Sequence, residues 1–96
     1  MVPDFSQITG IENYEKKQEK TRTIYQKNGK TFLVQNKNTI ELRTDPNLSQ
    51  TLQDKFESVM ESRYFGKGGV EIVPANQLSP QELEDLIRLS YNLTIS

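Results

Sequence analysis

The sequence predicts an α+β domain in which an antiparallel sheet, built on a three-stranded meander, is packed by two amphipathic helices. Three observations lead there. An Asn28-Gly29 pair separates two runs of alternating apolar and polar residues, residues 45–62 repeat apolar side chains at helical spacing, and residues 78–83 carry a complete helix start. Ninety-six residues, 33% of them hydrophobic and 26% charged, suffice for one core and one domain, 1–96.

Residues 1–20 are polar and weakly periodic. They read as a lead-in, with 1–10 partly ordered and 11–20 a loop or frayed helix. The meander occupies 21–43. Asn28-Gly29 supplies the two positive-φ positions of a tight hairpin turn, which pairs Tyr25 with Phe32 and Thr23 with Val34. A three-residue connection at Asn36-Lys37-Asn38 then pairs Val34 with Ile40 and Phe32 with Leu42. Both registers place Thr23, Tyr25, Phe32, Val34, Ile40 and Leu42 on one face, leaving Ile24 and Leu33 as the large apolar groups of the other.

Asp45-Pro46 opens the first helix, expected over 45–62, with Asp45 as cap and Pro46 where its missing N–H costs nothing. Leu48, Leu52, Phe56, Val59 and Met60 form its apolar face. Asp54, Glu57 and Glu61 form an acidic ridge opposite, read as a solvated face rather than a cation site, because ligands strung along a helix do not converge on one ion. The stretch Arg63-Tyr64-Phe65-Gly66-Lys67-Gly68-Gly69-Val70 holds three of the chain's five glycines and reads as a loop feeding a strand over 70–74. The last helix is expected over 79–93: Ser79 caps it, Pro80 follows, Glu82 completes the capping box and Leu78 staples onto Leu83.

Composition excludes several chemistries. The chain has no cysteine, hence no disulfide, thiol nucleophile or thiolate metal site. It has no histidine, hence neither the usual base near neutral pH nor the commonest zinc ligand. No apolar run reaches membrane-spanning length and no signal-peptide core is visible, so a cytoplasmic protein with no membrane partner is expected. The Asn92-Leu93-Thr94 sequon is then a chance match. No spacing of Tyr, Lys and carboxylates singles out a catalytic pair, so no enzyme, metal or other cofactor is expected.

The net charge of −1 hides an asymmetry. Residues 16–37 carry Lys16, Lys17, Lys20, Arg22, Lys27, Lys30 and Lys37 against Glu19 alone, a local balance of +6, while the flanking segments are acidic.

Several short motifs together resemble the MmcQ/YjbR family. Gly29-Lys30-Thr31-Phe32, the extended run into Asp45-Pro46 and then Leu52 is similar to its "GK-x-F … K-x-(D/S)-P … L" progression. Leu86-Ile87-Arg88-Leu89-Ser90-Tyr91-Asn92-Leu93 resembles its closing "LI-x-x-SY-x-L" helix, and Ile8-Thr9-Gly10-Ile11-Glu12 its early "LPG(V/A)E" turn. Where the family carries an Asn-Lys-x-x-Trp segment, this chain has Gly66-Lys67-Gly68-Gly69-Val70, without the tryptophan. The resemblance implies a bacterial protein with a frataxin/CyaY-like α+β fold, DNA binding through a double-wing arrangement and no assigned enzymatic activity.

Two function classes follow. A nucleic-acid-binding module would contact phosphates through the basic hairpin, centred on Lys27, Lys30 and Lys37, joined by Lys16, Lys17, Lys20 and Arg22, and extended by Arg63, Tyr64 and Lys67 if the central loop lies nearby. The alternative is a non-catalytic protein-interaction or small-ligand module using the sheet around Ile24 and Leu33.

Overall fold

Asn28 and Gly29 both adopt positive φ, 54° and 78°, and close a tight hairpin between strands 22–27 and 30–36. The computed structural model describes residues 13–73 and 78–95. Along them run β1 (Glu15–Gln18), β2 (Arg22–Lys27), β3 (Lys30–Asn36), β4 (Ile40–Arg43), α1 (Pro46–Lys55), β5 (Val59–Ser62), β6 (Gly66–Ile72) and α2 (Pro80–Ile95). The strands form one antiparallel sheet ordered β1-β2-β3-β4-β6-β5. Helix α1 packs on β5 and β6, and α2 on β2, β3 and β4. The class is α+β, as the sequence predicts.

The register differs from the expected one. Ile24 lies opposite Val34 and Tyr25 opposite Leu33, but Gln26 lies opposite Thr31, so β3 holds one extra residue, Phe32. Such a bulge turns two successive side chains to one side. Phe32 and Leu33 therefore both enter the core, while Val34 moves to the opposite face beside Ile24. At the next turn Asn36 N–H donates to Thr39 O (2.8 Å), shortening the connection to Lys37-Asn38, and Leu33 rather than Phe32 faces Leu42. The expected three-strand register is thus off by one, and the bulge is what keeps Phe32 inside.

Other bounds also shift. Residues 15–18, expected in a lead-in, form edge strand β1 on β2; the expectations for residues 1–12 lie outside the described residues. Helix α1 ends at Lys55 rather than 62. Phe56 is extended (φ −127°, ψ 126°), its N–H closes the last turn on Leu52 O, and a turn leads into β5. Val59 reaches the core from a strand opposite Ile72, Met60 is exposed, and Glu61 leaves the helical acidic ridge. Pairing with β6 outweighs the local helical periodicity there. Strand β6 starts at Gly66 instead of 70 and ends at Ile72; Pro74 lies outside the described residues. Gly69 is required where it stands, since a Cβ there would lie 2.5 Å from Phe65 Cβ and 2.7 Å from Leu42 O. Helix α2 runs two residues beyond the expected end.

The core lies between the sheet and the helices: Tyr25, Phe32, Leu33, Ile40, Leu42, Val59, Val70 and Ile72 against Leu52, Leu83, Ile87 and Tyr91, with Phe56 and Leu86 at its margin. Phe32 and Tyr91 meet edge to face, ring centroids 5.2 Å apart. Among the described residues, no helix is long and apolar enough to cross a membrane.

Candidate nucleic-acid interface

Strand alternation sends a second row of side chains to the face away from the helices. Lys17, Ile24, Val34, Glu41, Glu71 and Met60 lie opposite one another across the six strands. Ile24, Val34, Glu41 and Glu71 are buried even so, and the β5–β6 connection accounts for it by folding back over this face. Tyr64 OH hydrogen-bonds Thr31 Oγ1 (3.1 Å), Phe65 crosses Gly69 and the Arg43 guanidinium stacks 5.0 Å from its ring. Ile24 and Leu33 thus offer no exposed apolar patch: one is covered on this face and the other belongs to the core.

Two carboxylates lie side by side beneath that connection, because Glu41 and Glu71 are direct cross-strand neighbours. Like charges so placed repel, and each is compensated. Glu41 accepts from Ser62 Oγ (2.8 Å) and Tyr64 N–H (2.9 Å) on Oε1 and from Asn36 Nδ2 (2.9 Å) on Oε2. Glu71 accepts from Arg63 Nε (2.9 Å) on Oε1, and from Arg63 Nη2 (2.8 Å) and Thr39 Oγ1 (2.8 Å) on Oε2. Burial resists ionisation of Glu41, but the Asn36, Tyr64 and Ser62 hydrogen bonds and the Arg63 charge outweigh it, holding the carboxyl below its ordinary pKa. Arg63 is itself 77% exposed, so a solvent-facing cation caps a buried anion pair.

Above this floor the cations gather. A cleft of about 630 Å³ is lined by Arg22, Lys37, Arg63 and Tyr64 above Glu41 and Glu71, with Asn36, Asn38 and Thr39 at one wall. A second cleft of about 520 Å³, lined by Lys20, Arg22, Lys37, Gln18 and Gln35, shares Thr21, Arg22, Asn36 and Lys37 with the first. The two make one groove at the β3–β4 end of the sheet. Arg22 stands at their junction, 5.3 Å from the Tyr64 ring and hydrogen-bonded through Nε to Glu19 (2.6 Å). That bond holds Glu19 below and Arg22 above their ordinary pKa values.

The basic residues singled out from the sequence therefore divide. Lys20, Arg22, Lys37, Arg63 and Tyr64 share the groove. Lys17 lies on the same face along β1, 3.9 Å from Glu19. Lys16 points to the helix side, its Nζ 5.8 Å from the Tyr25 ring. Lys27 and Lys30 flank the turn at the far end of β2 and β3, with Lys27 Nζ donating to Asn13 O (2.9 Å). Lys67 lines a separate small cleft with Glu61 and α1 residues Ser49, Gln50 and Gln53. The floor was not legible in advance: Glu41 reads as one more polar residue of an alternating strand, and nothing local places Glu71, thirty positions on, beside it. Comparison with protein-family models, curated proteins and solved structures returns no match.

Proposed function

We propose that the protein binds nucleic acid, with a phosphate backbone lying across the β3–β4 end of the helix-free face. One observation carries this reading: Lys20, Arg22, Lys37 and Arg63, scattered over more than forty positions of sequence, converge on two adjoining clefts. Phosphate contact requires positive charge within reach rather than a particular sequence motif. Lys20 and Lys37 are exposed and have no ion-pair partner among the described residues, so their charge is available to a ligand. The resemblance to the MmcQ/YjbR family points the same way. Of the expected centre, Lys27, Lys30 and Lys37, this reading keeps Lys37, at the end of the hairpin where the groove lies, and leaves out Lys27 and Lys30.

The test is fluorescence anisotropy on labelled oligonucleotides over a salt series. Each lysine on a phosphate contributes roughly 0.7–0.9 to the slope of log K against log salt. Replacing Lys20 and Lys37 with alanine should weaken binding and flatten that slope by roughly 1.4–1.8. Replacing Lys27 and Lys30 should leave the slope unchanged. The reverse pattern, or a parent protein that binds no oligonucleotide at low salt, would reject the proposed surface.

A further inference from the structure

Arg63 is exposed to solvent and yet held in place from below. Its side chain is 77% exposed. Its neighbours Ser62 and Tyr64 are both pinned to Glu41, which accepts from the Ser62 hydroxyl and the Tyr64 N–H. The guanidinium itself is pinned to Glu71, through Nε on one carboxylate oxygen and Nη2 on the other. Glu71 is buried, lies in a strand paired on both edges and takes a further hydrogen bond from Thr39, so it gives the arginine a rigid seat. Stability alone gives little reason for this arrangement. Two adjacent carboxylates repel, and an arginine at the surface ordinarily keeps its rotamer freedom.

What the arrangement does produce is direction. A guanidinium has five N–H bonds, and the two given to Glu71 leave two on Nη1 and one on Nη2. Among the described residues these have no acceptor. One from each terminal nitrogen runs parallel to the other along the outer edge of the group, the fork that matches two oxygens of one phosphate. Arg63 lines the larger cleft together with Arg22 and Lys37, so that edge stands at the mouth of the groove.

Resting on the nucleic-acid reading above, we infer that Glu71 is a positioning residue for phosphate: it holds Arg63 so that the free edge of the guanidinium meets two oxygens of one phosphate. The carboxylate touches no ligand. Through its charge Glu71 opposes an anion in the groove, and through Arg63 it favours one; the second effect is the larger. A fork already fixed loses less freedom when phosphate arrives, and the bidentate contact needs both nitrogens at once. Lys20 and Lys37 add charge without direction, whereas Arg63 sets where on the rim the backbone crosses.

A double-mutant cycle on the full chain, read by anisotropy of labelled dT10 at fixed low salt, tests this. Arg63→Ala should weaken binding about tenfold, the scale of one charge-assisted hydrogen bond. Glu71→Gln should weaken it about threefold or more, although it removes a negative charge. In the Arg63→Ala background the sign reverses. There Glu71→Gln should tighten binding, because only the repulsion of the anion is left to remove. If Glu71→Gln does not fold, Arg63→Lys decides, since it keeps the charge and loses the fork. Weaker binding by that variant supports the inference, and binding equal to the parent overturns it. Unchanged or tighter binding by Glu71→Gln alone, weaker binding in both backgrounds, or no effect of Arg63→Ala also overturns it, and each leaves phosphate binding by the lysines standing. A parent protein that does not bind dT10 overturns both.

Discussion

Ser90 joins one helix to two strands through a single hydroxyl. Its Oγ donates to Phe32 O and accepts from Arg43 N–H (2.8 Å), with no exposure to solvent. The bulge at Phe32 disturbs the ladder where that carbonyl lies, so the serine from α2 supplies the missing partner. Ser90→Ala should cost about 1–3 kcal/mol, because it strands a buried carbonyl and a buried N–H together. A denaturant midpoint unchanged from the parent would show that the sheet relaxes to satisfy them. Glu41 yields a pH prediction. Its folded-state pKa lies below the ordinary 4.5, so the folded chain binds this proton less readily than the unfolded chain. The stability it contributes is complete above that ordinary value and is lost as pH falls through the lowered one. Glu41→Gln should therefore flatten the acid limb of stability against pH below about 4.5, and an unaltered limb would assign that limb to other carboxylates.

At the scale of elements, helix starts were the most legible feature. Asp45 caps α1 by accepting from Leu48 N–H (2.8 Å). Ser79 and Glu82 form the reciprocal box, Glu82 N–H to Ser79 Oγ (3.1 Å) and Ser79 N–H to Glu82 Oε1 (2.9 Å). Ser79→Ala should lower stability by about 1 kcal/mol, and an unaltered melting curve would show that the capped turn adds nothing to α2. Element ends were less legible. Val59 and Met60 continue the helical spacing of Leu52 and Phe56, yet β6 recruits them as a strand, a pairing that no local pattern announces. The glycines of 66–69 read as loop because strands usually avoid glycine. Here Gly69 is strand because Phe65 must pass over it. Gly69→Ala should destabilise by about 1–3 kcal/mol through that overlap, measured by denaturant unfolding, whereas a neutral result would mean the β5–β6 connection shifts freely.

At the scale of the molecule, the α+β class followed from features local in sequence: one turn pair, two capped helices and alternation on either side. The groove did not, since it depends on strand order. Chain order puts β5 between β4 and β6, whereas the sheet sets β6 beside β4, which brings Glu71 to Glu41 and swings Arg63 and Tyr64 over Arg22. Lys20 and Lys37 meet because two turns fall at one end of the meander, while Lys27 and Lys30 go to the other. Charge clustering in the sequence therefore marks a basic region without showing which of its members lie together. The proposed binding of nucleic acid at one end of the helix-free face is testable by titrating ¹⁵N-labelled protein with a single-stranded oligonucleotide and following backbone amide shifts. Shifts should concentrate at residues 18–22, 36–39 and 62–64, with 27–30 and α2 nearly still; shifts centred on 27–30 or on α2 would rule that surface out.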